Sequence, residues 1–315
     1  MKLCDSVIYE RSDRMRLLDI LAGKNKQQHD DEFINLIRAL DNGEEWAQKK
    51  INELWENNDQ TLFPRMDEAR IVIYEQAAKQ GNPKAQYWMG LSLRGINKQE
   101  SLKWLMPLAE QGDTDVMKVI ASGYTEYGGY GDDSQMYYYW NMKAAKAGDA
   151  EAQATIGLKY LCESNIEEAL KWYQLSADQG HPDGYLGVAK CYKDIQLQWN
   201  LKAPATEENI IKNEEYDLII EEAYLCAIET AQKESQSADA FDGLGHLYYN
   251  WIMFPKRKYE DEMQIVKLAA YNLYVAYLQG YNHNLQQFNE LVRKFHLSVD
   301  TNDIQGWAQH EGLLA

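Results

Sequence analysis

Apolar and polar positions along the chain recur with a helical period that breaks and restarts at a glycine. Aligned on Gly81, Gly112, Gly148 and Gly180, the segments YEQAAKQGNPKAQYWMG, LMPLAEQGDTDVMKVIA, NMKAAKAGDAEAQATIG and YQLSADQGHPDGYLGVA superimpose, 31, 36 and 32 residues apart. Offsets of −11, −8, −7, −4 and −3 from the glycine mark one stripe of a helix. Offsets of +4, +8, +9 and +12 mark one stripe of the next. A period of this length is that of a helix pair.

Each column has a physical reason. The glycine falls where a helix ends, and a left-handed backbone there favours a residue without a Cβ. Ala78, Ala109, Ala145 and Ala177 at −3, and Gly90, Ala121, Gly157 and Ala189 at +9, are small enough for helices to approach closely. Ile73, Trp104, Trp140 and Trp172 at −8, with Leu93, Tyr124, Tyr160 and Tyr192 at +12, fill the wider gaps. Aromatics at helical spacing read as core rather than as a cofactor box.

Weaker copies extend the array both ways. Around Gly43, FINLIRALDNG matches the preceding helix, and Ala47, Ile51 and Trp55 fall at +4, +8 and +12. Ala240, Leu244, Gly245 and Tyr248 reproduce the second stripe around a missing glycine near Gln236, and Gly280 closes LAAYNLYVAYLQG. Terminal units of a repeat array need a polar outer face, so the expected organisation is three-part. A helical cap occupies residues 1–41, the array residues 42–295, and a capping helix and tail residues 296–315. Two interruptions stand out. TEYGGYGDD at 125–133 reads as an extended connection, because a phosphate-cradling loop needs a GK[ST] ending or a preceding strand. An insertion at 195–213, carrying Trp199 and Pro204, lengthens one unit and reads as a long loop of the kind that is functional or disordered.

Composition narrows the partners. With 45% hydrophobic residues, 9 Trp and 22 Tyr the chain has ample material for a core. A formal charge of −17 opposes a phosphate backbone, whose binding depends on Lys and Arg displacing counterions; acidity of this size by itself keeps a protein soluble, and it equally suits a basic protein by steering encounter. Asp5, Glu10, Arg11 and Asp13 interrupt the apolar stretch a signal peptide needs, so a cytoplasmic address is expected. The uncharged run at 268–289 contains Gly280 and His283 and reads as repeat helices rather than a membrane span. Cys4, Cys162, Cys191 and Cys226 share no spacing that suggests a disulfide framework or zinc site.

The run A-x-x-x-L-G-x-x-Y followed by A-x-x-W-x-x-x-A-A-x-x-G is clearest as Ala152, Ile156, Gly157 and Tyr160, then Ala169, Trp172, Ser176, Ala177 and Gly180. It resembles Sel1-like repeats, relatives of tetratricopeptide repeats, over about residues 40–295. The resemblance implies an all-α, right-handed α-solenoid of about six to seven antiparallel helix-pair repeats with helical caps. It also implies an adaptor, assembly factor, signalling regulator or inhibitor, with no enzymatic chemistry in the repeat. Some secreted members carry a disulfide in every repeat, and no recurring Cys pair occurs here.

By analogy with tetratricopeptide repeats, the helix after each glycine lines the concave groove, with offsets near +3, +6, +10 and +13 facing it. The candidate protein-binding residues are then Lys84, Asp115, Glu151, Asp183 and Asp239 at +3. Tyr87, Leu91 and Arg94 follow in the first full unit, and Asp242, His246 and Tyr249 in the copy near Gln236. Acids at +3 equally suit a helix N-terminus through its dipole and free N–H groups.

Chemical motifs are missing: there is no HExxH, EF-hand loop, GxSxG elbow or Cys and His cluster at ligand spacing. His246 reads as an unpartnered histidine, and the pairs Glu214–Glu215 and Glu221–Glu222 as a solvated helix face. The leading reading is a protein–protein interaction scaffold or adaptor, not an enzyme. The alternatives are a cytoplasmic immunity or inhibitor protein that masks a basic toxin, and an enzyme with an unrecognised site. No cofactor, metal, nucleic acid, membrane or small-molecule substrate is expected.

Overall fold

The computed structural model describes residues 31–56, 62–202, 206–231, 234–253, 262–311 and 313. Fifteen helices and no strand occur among the described residues. In chain order these are α1 (Asp31–Asp41), α2 (Glu45–Glu56), α3 (Leu62–Lys79), α4 (Pro83–Leu93), α5 (Lys98–Glu110), α6 (Thr114–Gly123) and α7 (Ser134–Lys146). They continue as α8 (Ala150–Cys162), α9 (Ile166–Ala177), α10 (Pro182–Lys202), α11 (Glu207–Thr230), α12 (Glu234–Met253), α13 (Glu262–Leu278), α14 (Asn284–Phe295) and α15 (Ile304–His310). The chain divides between Ala147 and Gly148 into two compact units, α1–α7 and α8–α15. Within each, most helices pack on their sequence neighbours, the pattern of an α-helical repeat array.

The glycine column is a turn device. Gly43, Gly81, Gly112, Gly148, Gly180 and Gly280 all have positive φ, between 77° and 111°. At Gly180 the backbone N–H donates to Ala177 O at 2.8 Å and the next N–H, of His181, to Ser176 O at 3.2 Å. This pair of bonds satisfies carbonyls the helix end would orphan, and it recurs at Gly43, Gly81, Gly112 and Gly280. The next helix starts at once. Asn82, Asp113 and Asp149, one residue past their glycines, accept from the N–H groups of Ala85, Val116 and Ala152 at 3.0, 3.0 and 2.8 Å. At Gly43, Gly81, Gly112, Gly180 and Gly280, which lie within one unit or the other, a turn this short makes its two helices antiparallel neighbours.

Other glycines serve packing. Tyr173 of α9 lies between Gly157 of α8 and Gly187 of α10, where an added Cβ would come within 2.9 and 1.9 Å of its ring. The small columns at −3 and +9 are buried as expected. The aromatic columns are less uniform: Trp140 and Tyr124 are buried, whereas Trp104, Trp172, Tyr160 and Tyr192 are half-buried. In the first unit Asp41 joins three helices. Arg70 pairs with its carboxylate at 2.8 Å, Tyr74 donates to it at 3.1 Å, and Lys84 reaches its backbone oxygen at 3.0 Å.

Three local expectations change. Gln236 lies inside α12, and the break between α11 and α12 comes earlier, after an extended Ala231, so no glycine is needed where the sequence alignment placed one. The 125–133 connection folds back rather than extending. Tyr130 is buried, its N–H donates to Gly123 O at 2.7 Å, and its hydroxyl meets Ser101 Oγ at 2.5 Å. The 195–213 insertion is mostly helix, prolonging α10 to 21 residues and α11 to 24. Its Pro204 lies outside the described residues, as do residues 1–30 of the expected N-terminal cap and the side chain of Trp55. None of the helices among the described residues is long and apolar enough to cross a membrane.

Candidate protein-binding surfaces

The candidate residues at +3 divide by environment. Asp115, Glu151 and Asp183 sit in the first turns of α6, α8 and α10, where the helix dipole favours an acid, and all three remain exposed. Asp115 pairs at 3.2 Å with Lys118 yet is 84% exposed. Lys84, also in a first turn, is held by the C-terminal end of α1 through Asp41 O and, at 3.2 Å, Asn42 Oδ1. Asp239 lies in the interior of α12, paired with Lys190 at 3.4 Å and accepting a hydrogen bond from the Tyr281 hydroxyl.

Most of the remaining candidates are engaged within the chain. Tyr87 is half-buried and meets Trp88 edge-on at 5.3 Å. Burial, with the nearby Asp115 charge, pushes its phenol above the ordinary tyrosine range. Arg94 donates to Ser122 Oγ at 2.9 Å, and Leu91 is half-buried. Tyr249 donates to Glu290 at 2.7 Å; burial and that carboxylate push it up to about 12.

His246 is not the unpartnered histidine the sequence suggests: its Nε2 lies 3.5 Å from Asp242 Oδ1. His283, from the turn before α14, brings its Nε2 to 3.2 Å from Asp242 Oδ1 and 3.4 Å from His246 Nε2. Asn284 Nδ2 donates to the same Asp242 oxygen at 2.9 Å. Burial acts to raise the Asp242 pKa, but hydrogen bonds from His246 and Asn284 and the fields of both histidines outweigh it and hold the carboxyl low.

The surface that sequence reasoning missed lies on the lengthened α10–α11 pair. On α11, Ile211, Leu218 and Leu225 are each about half exposed, at 53%, 49% and 48%. They recur every seven residues, so they share one face. Three residues before each stands an exposed acid: Glu208, Glu215 and Glu222. The opposite face, with Ile220, Ala223, Tyr224 and Ala227, is buried in the core. On α10, Leu197 and Leu201, one turn apart, are also exposed. The signal was present as E-x-x-[IL] at a seven-residue interval, but it fell in a segment that breaks the 31–36-residue register.

These features define the class as an α-helical repeat protein built from antiparallel helix pairs. Solved structures similar to it include a Sel1 repeat protein from Oxalobacter formigenes, with 16% identity and a TM-score of 0.48, covering 83% of this chain and 97% of that one. A protective antigen present in uropathogenic Escherichia coli strains, displaying an SLR fold, is similar at 19% identity and a TM-score of 0.37, covering 96% of this chain and 64% of the antigen. No family model matches the chain, and no curated protein matches it.

Proposed function

We propose that this chain is a protein-interaction scaffold of the cytoplasm, a binder rather than a catalyst, and that α11 carries its principal docking seam. The observation that supports this reading is the seven-residue recurrence of exposed Ile211, Leu218 and Leu225 beside exposed Glu208, Glu215 and Glu222. Apolar side chains at that interval present a continuous stripe to a second helix, and flanking charges select its partner and orientation. The partner chemistry that fits is an amphipathic helix with an apolar face bordered by Lys or Arg. The exposed acids Asp115, Glu151 and Asp183 and the overall charge of −17 add long-range attraction for the same kind of partner. An inhibitor that masks a basic protein is the second reading, and it draws on the same charge.

The test compares affinity capture from the source cell by the parent and by an Ile211→Gln, Leu218→Gln variant. Both substitutions replace exposed side chains with a good helix former, so folding should be kept. The seam reading requires that proteins retained by the parent fall at least about tenfold in the variant, since a central apolar anchor is worth about 2 kcal/mol. Equal retention by both moves the docking surface elsewhere, first to the exposed acids at +3.

A further inference from the structure

The cluster on α12 and the turn before α14 has a geometry that protein binding does not explain. Asp242 and His246 are four residues apart on α12, which places them on one face of the helix. His283 comes from the turn that follows Gly280, and that turn is tied to α12 on both sides of it. Tyr281 donates to Asp239, and the fully buried Asn284 donates to Asp242. The three side chains converge through His246 Nε2, His283 Nε2 and Asp242 Oδ1. These atoms form a triangle with sides of 3.2, 3.4 and 3.5 Å.

Hydrogen bonding alone accounts poorly for this triangle. Its longer sides exceed the usual range of about 2.7–3.2 Å for hydrogen bonds from nitrogen. Two imidazole nitrogens face each other across one of them, so a single proton at most serves that side. Metal coordination accounts for all three sides together. Nitrogen and oxygen ligands about 2.0–2.1 Å from a tetrahedral zinc ion stand about 3.3–3.4 Å from one another. Magnesium at a similar bond length is octahedral and brings adjacent ligands to about 3.0 Å or less, and calcium draws six or more oxygens. Two imidazoles also select a transition metal over either.

The geometry points to Asp242, His246 and His283 as a three-ligand site for a divalent transition metal of the zinc class, with a further coordination position open to solvent. The His283 side chain is 59% exposed, against 27% for His246 and 22% for Asp242, so the opening lies on the His283 side. That position takes water or a donor atom from a bound molecule. Asn284 acts one step out: its bond to Asp242 Oδ1 orients the carboxylate, the usual work of a group behind a metal ligand.

The experiment uses the full chain without an affinity tag, stripped with chelator and then titrated with zinc. Bound metal is counted after gel filtration, and Tm is followed with and without zinc. The expected result is one zinc per chain and a Tm raised by zinc, because a ligand that binds only the folded state stabilises it. His283→Ala, at an exposed position where folding should survive, and His246→Ala each weaken binding at least about 100-fold and abolish the Tm rise. His310→Ala, at an exposed position on α15, leaves both unchanged. Uptake that never reaches one ion per chain, or that persists at parental affinity in either His246→Ala or His283→Ala, overturns the assignment.

Discussion

At the scale of single residues, two kinds of glycine do different work. Gly148 and Gly180 hold φ of 101° and 77°, and a Cβ at either would meet no atom within 4 Å, so any cost of replacing them is conformational. Gly180→Val and Gly148→Val should each destabilise by more than about 1 kcal/mol, read as a lower Tm, because a β-branched residue resists a left-handed backbone. A melt like the parent's would mean that the turn tolerates another conformation. Gly187 fails for the opposite reason: its backbone is ordinary, but Gly187→Ala drives a methyl group into Tyr173, and the loss is one of packing. The cysteines separate in a similar way. Burial, with the Asp194 charge beside it, pushes the Cys191 thiol up to about 12, while Cys162 is exposed. The thiolate is the reactive form, so mild alkylation of the native chain near pH 8, mapped by mass spectrometry, should label Cys162 and spare Cys191 by at least about 100-fold. Equal labelling would show that the α8–α10 core opens readily.

At the scale of elements, what was legible in the sequence followed from local rules repeated at a fixed interval. The six helix-ending glycines and the small columns obey such rules, and the structure has them where the pattern places them. Wherever tertiary contacts decide, the pattern was silent. Nothing local reveals that Tyr130 would fold back onto Ser101, or that the 195–213 insertion would extend two helices instead of forming a loop. The pairing of His246 with His283 spans 37 residues, a distance at which ligand spacing in sequence carries no information. Of the candidate binding residues, Asp115, Glu151 and Asp183 are exposed acids in the first turns of α6, α8 and α10. Tyr87 and Tyr249 are tied to Trp88 and Glu290 because aromatic side chains on closely packed helices find internal partners first. The E-x-x-[IL] seam also separates two roles within one pair: Glu222 is exposed, whereas Glu221 accepts a hydrogen bond from Tyr248 at 2.6 Å. Glu221→Ala should therefore lower Tm by stranding a buried hydroxyl, at a cost of about 1–3 kcal/mol, whereas Glu222→Ala should leave Tm near the parent's. Matching Tm values for the two variants would contradict that division.

At the scale of the whole molecule, charge and apolar surface act on different steps of binding. A net charge of −17 raises the rate at which a basic partner arrives, and salt screens that attraction over about 10 Å at ordinary ionic strength. Under the proposed docking mode the α11 stripe sets how long the partner stays, since most differences among variants of one interface appear in dissociation. With a captured partner in hand, raising salt from low to physiological levels should slow association about tenfold, with little effect on dissociation. Glu208→Gln, Glu215→Gln and Glu222→Gln together should reproduce part of that loss at low salt. The most direct test of the central claim is the paired capture experiment on the seam itself. Parent and Ile211→Gln, Leu218→Gln chains, matched in helicity and Tm, are exposed to the same lysate, and the retained proteins are quantified by mass spectrometry. The expected result is a basic protein held by the parent and depleted at least about tenfold on the variant. Retention of the same proteins at the same abundance by both chains would contradict it.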